Sequence, residues 1–89
     1  MKTAKKRPAV ADVVPLSELC KNQKARVVSL DTDDRALRRR LLDMGITEGV
    51  RIRVKKLAPL GDPVDIELRG YELCVRKRDL SLIRVEVTP

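Results

Sequence analysis

Cys20 and Cys74 are the only thiols in this chain of 89 residues, and it contains no histidine to join them. A zinc or redox site built on cysteine needs CxxC spacing or imidazole partners, and 54 residues separate these two. Each is expected to stay reduced and to pack as a small apolar group; a disulfide or a surface metal contact is the alternative. Ser17, Ser29 and Ser81 have no identifiable base, and the phosphate-binding patterns GxxxxGK[ST] and GxGxxG are both missing. The chain therefore reads as no enzyme, with no cofactor. The acidic run "DTDD" at 31–34 fails as a calcium loop of the EF-hand type, because Ala36 and Leu42 stand where glycine and glutamate would be needed. Helix capping explains those acids better.

Two stretches offer binding chemistry instead. "RALRRR" sets Arg35, Arg38 and Arg39 on the exposed side of a helix with Arg40 beside them. They could grip an acidic partner or a phosphate backbone, or form a solvated face balanced by Asp34 and Asp43. In "APLGDP" two prolines stiffen a loop whose tip is Leu60, Gly61, Asp62 and Pro63. Such a loop would present Leu60 with little freedom left to lose on binding; the competing reading folds Leu60 back onto the body.

The net charge of +7 divides unevenly. Residues 1–14 hold Lys2, Lys5, Lys6 and Arg7 against Asp12, while the rest of the chain holds 16 basic and 12 acidic side chains. Beyond the lead-in the surface is of mixed sign, which weakens a phosphate-tracking reading. Tyr71 is the only aromatic residue, so stacking on bases is nearly excluded and nucleic acid is not the expected partner. The lead-in shows no sustained period and reads as a flexible basic tail at 1–14, followed by one domain at 15–89. Its apolar part, "AVADVV", is short and carries Asp12, so it neither spans a membrane nor directs secretion; a cytoplasmic protein is expected.

The elements follow from spacing. Pro15 and Ser17 start one helical turn with Leu16 and Leu19 inward, and "KARVVSL" makes a first strand at 24–30. A helix at 33–43 begins near Thr32 or Asp33 as cap, with Leu37, Leu41 and Met44 as its apolar stripe and Leu42 widening it. Gly45 stops the helix. The period then becomes two: Val50, Ile52 and Val54, then Val64, Ile66 and Leu68, point inward between charged residues of opposite sign on the two segments, which favours their pairing. Tyr71, Leu73 and Val75 follow a tight turn at 69–70, "KRDLSL" gives a helical turn, and Ile83, Val85 and Val87 a last strand. The expectation is a mainly β fold: a small barrel of about five strands, with a short helix between the first two plugging one end and a helical turn before the last.

"PLSEL", "ARVVSL", "LRRRLLDMGITEGVRIRV", "APLGDPVDIELRGYELCVRKRDL" and "IRVE", taken together over about residues 15–87, resemble the FeoA family of ferrous iron transport proteins. The resemblance implies an SH3-like β-barrel acting as a cytosolic accessory to bacterial ferrous iron uptake. Its implied partner is the membrane transporter FeoB, whose cytosolic part binds GTP and whose uptake activity it would modulate. The candidate contacts are then Leu60, Gly61, Asp62 and Pro63 with Arg35, Arg38 and Arg39, and the basic tail would meet the anionic inner leaflet of the membrane. A nucleic-acid-binding barrel and a transition-metal sensor are the alternatives.

Overall fold

A computed structural model describes residues 7–89. One antiparallel sheet runs through the chain in the order β1-β6-β2-β3-β4-β5. Its strands are β1 (Val13–Pro15), β2 (Lys24–Leu30), β3 (Arg51–Leu57), β4 (Val64–Leu68), β5 (Tyr71–Val75) and β6 (Ile83–Thr88). Two helices interrupt them, α1 (Arg35–Asp43) and α2 (Lys77–Leu80), together with a 3-10 turn at Leu16–Glu18.

The alternation seen in the sequence is the alternation of burial. Ile52 and Val54 on β3, Val64, Ile66 and Leu68 on β4, and Ile83, Val85 and Val87 on β6 join one aliphatic cluster. Their neighbours Arg53 and Glu67 face each other across the β3–β4 ladder and form an ion pair at 2.9 Å. The opposite charges thus sit on directly paired positions, as the pairing argument requires.

Helix α1 closes one end of that core. Leu37 and Leu41 are buried and Met44 packs against the cluster. The helix stops at Gly45, whose φ of +95° lies in the left-handed region. There the Ile46 N–H donates to Leu41 O at 3.1 Å and the Gly45 N–H to Leu42 O at 2.9 Å. This pair of bonds is a Schellman stop, and it turns Ile46 inward beside Leu41 in the core.

Four expectations need correction. The N-cap is Asp34, not Thr32 or Asp33: its Oδ1 accepts from the Leu37 N–H at 3.1 Å. Leu42 does not widen the apolar stripe, since it is 43% exposed; it points away from the face that carries Leu37 and Leu41. On β5 only Val75 is buried and Leu73 half-buried, whereas Tyr71 is exposed. Cys74, expected to pack as an apolar group, is also exposed on the outer side of β5.

The strands number six because Val13–Pro15 pairs with β6, Val14 opposite Val85. The tail expected over 1–14 lies partly outside the described residues, at 1–6; from Pro8 onward the chain is tied to the sheet. The Ala11 N–H donates to Val87 O at 2.8 Å. Gln23, 6% exposed, donates to Pro8 O at 2.8 Å and accepts from the Cys20 N–H at 2.8 Å. A buried amide so placed must be satisfied on both its ends, and the lead-in supplies one of the partners.

Candidate interaction surface

The loop between β3 and β4 is closed on itself. The Ala58 N–H donates to Pro63 O at 3.1 Å, the Gly61 N–H donates to Ala58 O at 2.7 Å, and Gly61 takes a φ of +85° that side chains rarely adopt. Asp62 then fastens the loop to the next element, its Oδ1 accepting from the Lys77 N–H at 2.9 Å. Arg76 makes no side-chain cap at that end of α2, so Asp62 fills the capping role from across the loop. With its flanks held, Leu60 projects at 95% exposure. It does not fold back onto the body: a large aliphatic side chain is left almost wholly in water on a fastened loop. Beside it lies a cleft of about 140 Å3 lined mainly by Leu16, Leu19, Val54, Leu57 and Val64, with Lys77 also on its wall.

The three arginines of α1 differ from one another. Arg38 forms no ion pair within salt-bridge distance among the described residues; its guanidinium donates to Thr32 O at 2.6 Å and to Leu30 O at 3.2 Å, stitching the helix to the end of β2. Arg40 lies 3.8 Å from Asp79 of α2. Arg35 and Arg39 have no carboxylate within ion-pair distance among the described residues. Asp34 accepts the cap bond from the Leu37 N–H, and neither Asp34 nor Asp43 forms an ion pair among the described residues. A shallow hollow of about 330 Å3 is lined by Arg35, Arg38, Arg39, Leu42 and Asp43.

The loop tip and the arginine face line different hollows among the described residues. Helix α2 is linked to the loop through Asp62 and to α1 through Asp79.

A second cationic feature escaped the sequence. On the outer side of β2 and β3, Lys24 stands directly opposite Arg53 and Arg26 opposite Arg51. The signal was present as "KAR" and "RIR", but it becomes a patch only through a strand pairing that spans α1. Above it is an open hollow of about 720 Å3 whose walls include Lys24, Arg51, Arg53 and Arg69.

Among the described residues no three Cys, Asp or Glu side chains converge in a way that could hold a metal ion. Cys20 and Cys74 are both free thiols. The Cys74 thiol is hydrogen-bonded to Asp65, which raises its pKa above the ordinary value, and burial adds to the shift. A proton held in this way works against thiolate ligation. No helix among the described residues is long and apolar enough to cross a membrane.

A small antiparallel sheet wrapped round an aliphatic core, with a helix stopping one end, is the architecture of an SH3-like domain. The model of the FeoA domain matches residues 14–87, and the chain belongs to the FeoA family. It is 36% identical over 72 residues to a fusion of Fe(2+) transport protein A with the Fe(2+) transporter FeoB from Porphyromonas gingivalis; the match takes in 81% of this chain and 8% of that much longer one. The solution structure of a FeoA-like protein from Clostridium acetobutylicum superposes with a TM-score of 0.78 at 37% identity, over 84% of this chain and 86% of the other. The crystal structure of Stenotrophomonas maltophilia FeoA, a zinc complex described as a procaryotic SH3-domain protein, gives a TM-score of 0.70 at 26% identity, over 80% and 87% of the two chains.

Proposed function

We propose that this chain is a non-enzymatic interaction module of ferrous iron transport, which docks on the cytosolic part of the membrane transporter FeoB and modulates its GTP-dependent uptake. The observation that carries the reading is Leu60, held in solvent on a loop fastened at Asp62 and adjoining an aliphatic cleft. The relative in which the A protein and FeoB share one chain supports the choice of partner, since fusion keeps two associating domains at high effective concentration. Leu60 supplies an apolar anchor, with Gly61, Asp62 and Pro63 holding its geometry, while Arg35 and Arg39 offer a separate charged contact on α1. Lys2, Lys5, Lys6 and Arg7 of the lead-in would hold the complex against an anionic inner leaflet, at about 1 kcal/mol per charge near the surface.

Co-purification with the transporter in detergent tests it. Leu60→Asp should lower association at least tenfold, as loss of a buried apolar anchor does, with the far-ultraviolet dichroism unchanged. Arg39→Glu should weaken it less and make it more salt-dependent. Association unchanged in both variants overturns the assignment of this surface.

A further inference from the structure

From the outer face of β2 and β3 we infer a second docking surface, separate from the Leu60 loop, whose occupant is an extended acidic segment of a partner protein. Like charges placed directly opposite on neighbouring strands destabilise a sheet, and this sheet has two such pairs side by side, Lys24 with Arg53 and Arg26 with Arg51. Two of the four cations are relieved from within: Arg53 by Glu67 at 2.9 Å and Arg26 by Glu86 at 2.5 Å. Lys24 and Arg51, diagonal to each other, form no ion pair among the described residues. Arg69, which donates to the Thr47 hydroxyl at 3.2 Å, adds a third unneutralised cation at the wall of the same hollow.

The geometry selects the occupant. Lys24 and Arg51, the two of these four cations left without a carboxylate, are diagonal neighbours on the β2–β3 ladder, a separation of roughly 7–8 Å and somewhat less between Cβ atoms, close to the roughly 6.5–7 Å between alternate residues of an extended chain. A polypeptide in extended conformation with carboxylates at alternate positions has the same repeat, and the planar guanidinium forks suit carboxylates two oxygens at a time. A nucleic-acid strand would gain only charge contacts here, because the chain has no second aromatic residue to stack a base. Residues 1–6 cannot be the occupant on grounds of charge, since they carry Lys2, Lys5 and Lys6 and no acid.

Fluorescence anisotropy on the full chain reads this out, with three labelled probes of equal charge: a peptide with glutamate at alternate positions, one with the same glutamates in a single block, and a single-stranded oligonucleotide. The alternating peptide should bind most tightly. The double variant Lys24→Gln/Arg51→Gln should bind it about tenfold more weakly, and should unfold at the same or a higher temperature, because both like-charge pairs are removed. Arg76→Gln/Arg78→Gln, which removes the same charge from exposed positions beside and on α2, should leave the affinity unchanged. Equal losses in the two double variants, tighter binding of the oligonucleotide, or no preference for the alternating peptide would each overturn the inference. Because no transporter is present, failure here leaves the Leu60 assignment standing, and loss of transporter association through Leu60→Asp leaves this one standing.

Discussion

The Tyr71 hydroxyl donates a hydrogen bond to the carbonyl oxygen of Met44, the residue on which α1 ends. The only aromatic side chain of the protein is thus used to tie the first residue of β5 to the stop of the helix that plugs the core. A Cβ placed on Gly45 would come within 2.9 Å of that hydroxyl, whereas one on Gly70 would meet nothing within 4 Å, and both glycines have positive φ, +95° and +84°. The backbone cost of alanine is shared, roughly 1 kcal/mol, so the contact separates them. Gly45→Ala should therefore destabilise by about 1–2 kcal/mol more than Gly70→Ala in urea unfolding followed by circular dichroism. In a Tyr71→Phe background the gap should shrink.

Asp34 carries the cap of α1, and its loss should show it. Asp34→Ala should cost about 1 kcal/mol, which for a domain of this size lowers the melting temperature by roughly 4–8 °C. Asp33→Ala, at a position whose side chain makes no cap bond, should change it by less than half as much. Equal effects would mean that the acids act only through the helix dipole.

Gln23 is the buried polar residue that fastens the lead-in to the sheet. Gln23→Leu leaves the Cys20 N–H and Pro8 O without their partner, at about 1–3 kcal/mol, and should free the segment before β1. Amide exchange at Ala11, whose N–H bonds Val87 O, should rise in the variant while exchange in β3 and β4 changes only by the global loss of stability.

How far the sequence revealed these features depends on how local they are. Ile52, Val54, Ile66 and Leu68 announce their strands because a period of two with aliphatic inner residues has one stable arrangement, and Arg53 with Glu67 announces the pairing. Gly45 is equally local, since a left-handed stop directly after a helical stripe needs glycine. Val13–Pro15 is not legible: it is three residues long, ends in proline, has no alternation, and becomes a strand only because β6 offers it an edge. Asp34 was hidden among adjacent acids, where a shift of one residue decides which carboxylate faces the Leu37 N–H. The candidate contacts were legible as residues but not as a site. Leu60 needs only its own loop to be exposed, while the facing of Lys24 and Arg53 follows from a register set across α1.

Acid should weaken the fold partly through Asp31. Arg84 Nε donates to Asp31 Oδ2 at 2.9 Å and the Ser29 hydroxyl to Oδ1 at 3.2 Å. The Arg84 hydrogen bond, with Ser29 and the Arg84 and Arg38 charges assisting, holds this carboxyl below its ordinary value of 3.8, against a smaller opposing effect of burial. The unfolded chain then takes up the proton at a higher pH than the folded chain. The contribution of Asp31 to stability is complete above the ordinary value and is lost as pH falls through the depressed one. Melting temperature measured against pH should fall less steeply through this window in Arg84→Met than in the wild type. An unchanged slope would remove Arg84 as the cause.

Cys74 should be sluggish towards alkylating agents despite its exposure. It pairs with Asp65 across the β4–β5 ladder, and the hydrogen bond of its thiol to that carboxylate, followed by burial and the Asp65 charge, raises its pKa, with Arg76 pulling the other way. Only the thiolate attacks a maleimide, so a raised pKa means a smaller reactive fraction near neutrality. In a Cys20→Ser background, where Cys74 is the sole thiol, Asp65→Asn should speed alkylation several-fold at a pH of about 8, and Arg76→Gln should slow it. Opposite responses to the loss of an anion and of a cation distinguish electrostatic control of the proton from steric access, because removing either side chain would otherwise open the thiol and raise both rates.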